Sequence, residues 1–174
     1  IEQNALILHS HLNLCTLQMK IKIIALGKIK EKFIREGIDE LLKRLRPYIP
    51  IEVIEVNPVE IKDENLIENA LTQEGEKILS IINNDTYLIT LEIEGKQISS
   101  EEFAVKINDL CNTGVNEVAF VIGSSYGIGK NVKARANYKL SFSKMTFLHT
   151  YSRLFLLEQI YRAFKILKNE TYHK

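Results

Sequence analysis

Cysteine is scarce in this chain. Cys15 and Cys111 are the only two in 174 residues. They lie far apart and form no CxxC pattern, which excludes a disulfide framework or a thiol zinc site and fits a reducing, cytoplasmic compartment. Long apolar runs are missing as well, none approaching the roughly 20 residues a membrane-crossing helix needs. The N-terminus has neither the basic stretch of a signal peptide nor the arginines of a transit peptide. No repeat, low-complexity segment or Pro/Gly linker divides the sequence, so a single domain is expected. What is present, 45% hydrophobic and 26% charged residues, is the composition of a globular protein long enough to bury its own core.

Residues 1–18 (IEQNALILHSHLNLCTLQ) read as foreign to the rest. They are taken as an extension preceding the natural domain, with Met19 as its start and residues 19–174 as the domain proper. His9, His11 and Cys15 supply three donors without a fourth, so no metal site is assigned to them. Charge is unevenly spread. Residues 130–174 carry ten Lys/Arg against two Asp/Glu, and residues 1–129 carry thirteen against twenty, so +8 and −7 hide within a net +1. A basic C-terminal quarter suits a phosphate-rich partner, although charge alone favours the plainer reading of a solvated basic face.

Hydrophobic periodicity predicts strands at residues 20–26, 51–56, 86–91, 117–122 and 138–142. Helices are predicted at residues 30–46, 64–82, 100–111 and 150–167, the third opened by an S-x-x-E capping box of Ser99 and Glu102. Pro47 and Pro50 end the first helix. This alternation specifies an α/β fold, a mostly parallel sheet flanked by helices on both faces. Ligands in such sheets bind at the C-terminal ends of strands, which singles out the loops after Leu91, Ile122 and Phe142.

The second of these loops, residues 123–130, resembles a phosphate loop only loosely. Five residues separate Gly123 from Gly129, one more than a Walker A loop allows, and Asn131 follows Lys130 where Ser or Thr belongs. Gly127 or Gly129 can simply serve a tight turn with positive φ. Gly123 ends a buried strand, where a glycine lets a ligand approach the backbone. The third loop sets Ser141, Ser143 and Thr146 among Phe142, Met145 and Phe147. An apolar pocket with a few hydroxyls suits an adenine ring and a thioether or sulfonium chain, and core packing would use the same apolar residues.

The last helix is apolar over more than one stripe, from Leu154 through Phe155, Ile160 and Phe164 to Leu167. One face serves the chain's own core, and the excess predicts a homodimer through this helix. Arg153 and Arg162 interrupt it, with Glu158 the available ion-pair partner. Tyr172 and His173 stand in a short terminal tail.

Read together, these segments resemble the RlmH family of SPOUT-class methyltransferases. The likeness covers nearly all of the chain from Met19 onward. It is strongest in FVIG (Phe120 to Gly123), LSFSKMTF (Leu140 to Phe147), EQIYRAFKI (Glu158 to Ile166) and the terminal YHK (Tyr172 to Lys174). The resemblance implies a C-terminal trefoil knot, which connection rules alone would not predict. It also implies S-adenosylmethionine as cofactor, held by Leu91, Gly123, Phe142, Ser143, Lys144, Met145, Thr146 and Phe147. The implied reaction is methylation of N3 of a pseudouridine in large-subunit rRNA of the assembled ribosome.

His173, Tyr172 and Arg162 are the expected catalytic groups, and Arg153, Arg162 and Lys174 the expected contacts to RNA. Two positions depart from the family pattern: Ser124 replaces a second glycine, and Leu148 replaces a proline before His149. They keep open a non-catalytic ribosome-binding protein of the same fold. A nucleotide-binding enzyme using residues 123–130 is the other alternative.

Overall fold

The computed structural model describes residues 19–172. The extension at residues 1–18, with His9, His11 and Cys15, lies outside the described residues, as do His173 and Lys174. Five strands form one parallel sheet: β1 (Lys20–Leu26), β2 (Ile51–Val56), β3 (Tyr87–Gln97), β4 (Glu117–Ile122) and β5 (Tyr138–Ser141), in the order β2-β1-β4-β3-β5. Strand β4 is central and all six of its residues are buried. A strand covered on both faces reads as a continuous apolar run, and EVAFVI does so after its first residue.

The period-two alternation of strand side chains divides the core in two. Ile21, Ile23, Val118 and Phe120 face one layer, where α1 (Lys32–Leu45), α3 (Ser100–Asn112) and α5 (His149–Leu167) bring Ile34, Ile38, Phe103, Leu156, Ile160 and Phe164. Ile24, Leu26, Ala119 and Val121 face the other, against Ile78 of α2 (Ile67–Leu79) and Val132 of α4 (Lys130–Arg135). The predicted capping box is formed in full: Ser99 Oγ accepts from the Glu102 amide, and the Glu102 carboxylate accepts from the Ser99 amide.

Three elements differ from expectation. The helix foreseen from residue 64 begins as a 3-10 turn, Glu64–Leu66, capped by Asp63, and α2 stops at Leu79, where the Ser80 hydroxyl bonds back to the Lys77 carbonyl. Helix α4 was not foreseen, because its six residues are too few for a helical period to register. Strand β3 continues past Leu91 to Gln97. Leu91 and Lys96 both partner Leu140, with a register shift between them. Gly95 lies so close to β5 that an added Cβ would stand 2.6 Å from the Leu140 carbonyl carbon. The segment after Leu91 therefore clasps β5.

A buried polar cluster closes the opposite end of the sheet. Glu117, 5% exposed, accepts from the Thr86 hydroxyl at 2.6 Å and pairs with Lys20 at 2.7 Å and Lys22 at 3.1 Å. Burial alone would raise its pKa, but the bonds from Lys20, Thr86 and Lys22 together hold it below the ordinary carboxylate value.

Candidate active site

The three loops singled out by sequence converge. At the C-terminal ends of β3, β4 and β5 they enclose a cavity of about 480 Å³, lined by Leu91, Glu92, Ile122, Gly123, Ser124, Leu140, Ser141, Phe142, Ser143, Met145, Thr146, Phe147, Leu148, His149 and Ser152, among others. A parallel sheet creates this crevice because every strand ends on the same side. Seven of the eight expected cofactor residues line it. Lys144 does not; its side chain is exposed and outside the lining.

The wall of residues 142–147 is shaped by short-range bonds. Ser141 Oγ donates to the Ser143 carbonyl, and the Met145 amide donates to Ser143 Oγ, each at 3.0 Å. Such hydroxyl-to-backbone turns hold a loop without secondary structure. On the β3 side, Glu92 has a side chain only 6% exposed, accepting from the Thr90 hydroxyl at 2.6 Å and paired with Lys133 at 3.1 Å. The sequence reading missed Glu92, His149 and Ser152, although Glu92 follows Leu91 directly and His149 follows the LSFSKMTF motif.

The glycine loop is a tight turn. Ser124 and Gly127 exchange backbone bonds of 3.1 and 3.0 Å, with Gly127 at φ +100°. A Cβ on Gly123 would stand 2.3 Å from the Gly127 carbonyl oxygen, so the close approach expected there of a ligand is made by the chain's own backbone. Lys130 pairs with Glu68 on α2. With the turn folded on itself and its lysine drawn to α2, residues 123–130 form no phosphate cradle.

Both departures from the family pattern are accommodated. Ser124 Oγ turns back towards the Tyr126 amide at 3.4 Å, within the turn itself. Leu148 adopts φ −58°, within the range a proline would impose.

Arg153 is not where RNA could touch it. It is 1% exposed; Nη1 donates to Glu55 Oε1 at 2.9 Å, and Nη2 donates to the carbonyls of Leu26 at 2.9 Å and Gly27 at 2.7 Å. Its ion-pair partner is therefore Glu55, not Glu158. One turn earlier on α5, His149 lies at the cavity wall, its Nε2 3.4 Å from where a Cβ on Gly27 would stand. Burial, then the charge of Arg153, lowers its pKa against an opposing pull from Glu31, so the imidazole is neutral near pH 7.

The expected catalytic groups gather at the other end of α5. Arg162 pairs with Glu158 and lies 4.9 Å from the centre of the Tyr172 ring, which packs edge-on against Tyr161. The Tyr172 hydroxyl lies 3.4 Å from Glu158 Oε1. Tyr172 is therefore docked against α5. It folds back onto the stretch from Glu158 to Arg162, six to ten residues beyond Ser152 of the cavity wall, about 9–15 Å along the helix axis, and neither Arg162 nor Tyr172 is among the residues that line the cavity. His173 and Lys174 lie outside the described residues.

Apolar side chains remain exposed on the outer side of α5. Phe33 is 60%, Leu148 64% and Met145 71% exposed, and rings link Phe33 to Tyr151, Tyr151 to Phe155 and Phe155 to Phe147 at 6.3, 6.1 and 5.4 Å. The run therefore extends from α1 to the cavity wall. Among the described residues no cluster of three or more His, Cys, Asp or Glu could hold a metal, and no helix is long and apolar enough to cross a membrane.

Comparison with known proteins gives the family. The family described as "Predicted SPOUT methyltransferase" matches residues 19–173. Proteins named "Ribosomal RNA large subunit methyltransferase H" from Bacillus thuringiensis, Bacillus cereus and Bacillus anthracis are each 52% identical over 160 residues, covering 90% of this chain and 100% of the relative.

Proposed function

Because the chain belongs to the SPOUT methyltransferase family, we propose that it methylates N3 of a pseudouridine in large-subunit rRNA of the assembled ribosome, with S-adenosylmethionine as donor. The observation that carries this reading is the cavity itself, in which Leu91, Gly123 and the wall of residues 142–147 meet at the C-terminal ends of three strands. Its chemistry suits the cofactor. Leu91, Ile122 and Phe142 offer apolar contact for an adenine, the Ser143–Met145 turn offers backbone polar groups, and Glu92 offers a carboxylate for a hydroxyl or ammonium.

Bound there, S-adenosylmethionine supplies a methyl group already activated on a sulfonium. The residues around it align donor and acceptor and exclude water, which contributes much of the rate. As the bond from N3 to the methyl carbon would form, the carbon–sulfur bond would break to leave a neutral thioether, and the N3 proton would pass to His173 directly or through a bound water, with Tyr172, whose phenol burial and Glu158 keep protonated, serving as a hydrogen-bond partner. Arg162 and Tyr172 lie outside the lining of their own cavity, which supports a tail that serves the cavity of a second copy, with Arg162 and Lys174 contacting the RNA. The exposed run from Phe33 through Tyr151 and Phe155 to Phe147 supports pairing through α5. A C-terminal trefoil knot is part of this reading, as the fold that membership of the family implies. Action on the ribosome is in keeping with a cytoplasmic protein.

The test is incubation with labelled S-adenosylmethionine and ribosomes carrying either pseudouridine or uridine at the target. Label confined to the pseudouridine form is expected. Folded protein that binds the cofactor yet labels neither form would refute the reaction, and favour a ribosome-binding protein of the same fold. A second experiment mixes Gly123→Ala chains with His173→Ala chains. Activity regained in the mixture supports a site shared between copies, and its absence, with mixed dimers formed, refutes it.

A further inference from the structure

The loop joining β1 to α1 is held by an unusual number of charged groups for its length. Arg153 donates to the carbonyls of Leu26 and Gly27, and Arg35 Nη2 donates to that of Ile29. Glu55 Oε1 accepts from the Ile29 amide at 3.3 Å while pairing with Arg153. Core packing does not call for this arrangement, since a buried guanidinium is costly to desolvate and an apolar side chain of its volume would fill the same space. What the network does is fix the backbone of residues 26–29 in one shape.

That shape presents two cations. Ile29 is 6% exposed and anchors the loop to the core, while Lys28 and Lys30 on either side of it are exposed. Among the described residues neither lysine has an ion-pair partner, whereas Lys32 pairs with Glu36. The loop lies next to the active cavity, since a Cβ on Gly27 would stand 3.4 Å from Nε2 of His149, a residue of the cavity wall. On the β3 side of the cavity Glu92 is paired with Lys133 and Glu94 stands nearby, so that rim offers no unpaired cation. The two exposed, unpaired lysines therefore mark the β1–α1 side as the one for an anionic substrate to approach. A loop held rigid before binding also loses little entropy when it meets a phosphate backbone.

We propose that Lys28 and Lys30 dock the phosphate backbone of the substrate rRNA beside the cavity, and that Arg153 is the positioning residue that holds their loop. This rests on the rRNA methyltransferase reading. Contacts of this kind orient RNA without reading its sequence. They act on substrate affinity and its salt dependence, leaving the cofactor pocket and the chemical step unchanged.

The test compares Lys28→Glu/Lys30→Glu with the wild-type protein and with Lys62→Glu/Lys77→Glu, an equal charge change at exposed lysines away from the loop, one ahead of α2 and one on it. Cofactor affinity is measured by calorimetry, and ribosome methylation at several salt concentrations. For the loop variant we expect the ribosome KM to rise about tenfold or more, with kcat and cofactor affinity within about twofold of wild type. The log–log salt dependence of KM should be shallower by about 1.4, as for two lost phosphate contacts on single-stranded RNA. The control should keep the wild-type KM. If the wild-type enzyme methylates ribosomes and the loop variant matches it, this assignment is overturned alone. An equal loss in the control reduces it to a net-charge effect and also overturns it. If the wild-type protein methylates no rRNA, the underlying reaction fails and this inference falls with it.

Discussion

Replacing Arg153 with Met tests whether the buried guanidinium is a structural clamp. Met fills much of the same volume without polar groups, so the perturbation is the loss of three hydrogen bonds: to Glu55 at 2.9 Å, Leu26 at 2.9 Å and Gly27 at 2.7 Å. Bonds to charged donors are worth about 1.5–3 kcal/mol each, and an orphaned buried carbonyl costs about 1–3 kcal/mol. Several effects oppose that loss. Removing one member of a fully buried pair costs about 3–5 kcal/mol, but Glu55 is 36% exposed and water can hydrate it. The guanidinium's own desolvation is relieved, including that of Nε, which is buried without a hydrogen bond. The balance is a destabilisation of about 2–3 kcal/mol, or about 4–12 °C in Tm for a domain of this size. Differential scanning calorimetry reads the Tm, and hydrogen exchange should show lost protection of the Gly27 amide, which bonds Val56. A Tm within about 1 °C of wild type, with exchange unchanged, would refute the clamp. The double change with Glu55→Gln should cost less than the sum of the singles, because the two groups share one network.

Leu148→Pro should raise the Tm by about 1–4 °C, because φ −58° already suits proline and the unfolded chain loses freedom; a lower Tm would show that proline does not fit. Gly123→Ala drives a Cβ to 2.3 Å from the Gly127 carbonyl oxygen. Backbone must shift at the cavity wall, at a cost of about 1–3 kcal/mol, so calorimetric titration should find cofactor affinity weakened about tenfold or more; unchanged affinity would count against Gly123 as part of the site. Glu117 has a pKa lowered in the fold, so its contribution is present above the unfolded value, near 4.5, and fades as pH falls through the folded value. Denaturant titrations at about pH 6 and about pH 4 should show Glu117→Gln losing less stability on acidification than wild type; parallel losses would remove the cluster from the acid response.

Much of the architecture was legible from local pattern. EVAFVI reads as a buried strand because parallel sheets are covered on both faces, and Ser99 with Glu102 marks a helix start because the cap lies within four residues. The three cavity loops followed from the strand–helix alternation, which puts ligands at the C-terminal ends of strands, and from loop chemistry. Helix α4 and the second half of β3 were not legible: one is too short for a period, and the other owes its strand geometry to Leu140 and Ser141, far away in sequence.

Charge was the poorest guide. The sequence alone established an α/β chain with a basic C-terminal quarter, a likeness to SPOUT methyltransferases and the segments that wall the cavity. All of these are local patterns, written in residues close together along the chain. Tertiary structure decided the work of each cation. Arg153 belongs to the basic quarter yet is buried against Glu55 and two carbonyls, while Lys28 and Lys30, from the acidic part of the chain, stand exposed beside the cavity. Whether a guanidinium meets water or a carbonyl depends on what folds over it, and that is set by contacts about a hundred residues apart in sequence (98 for Arg153 and Glu55).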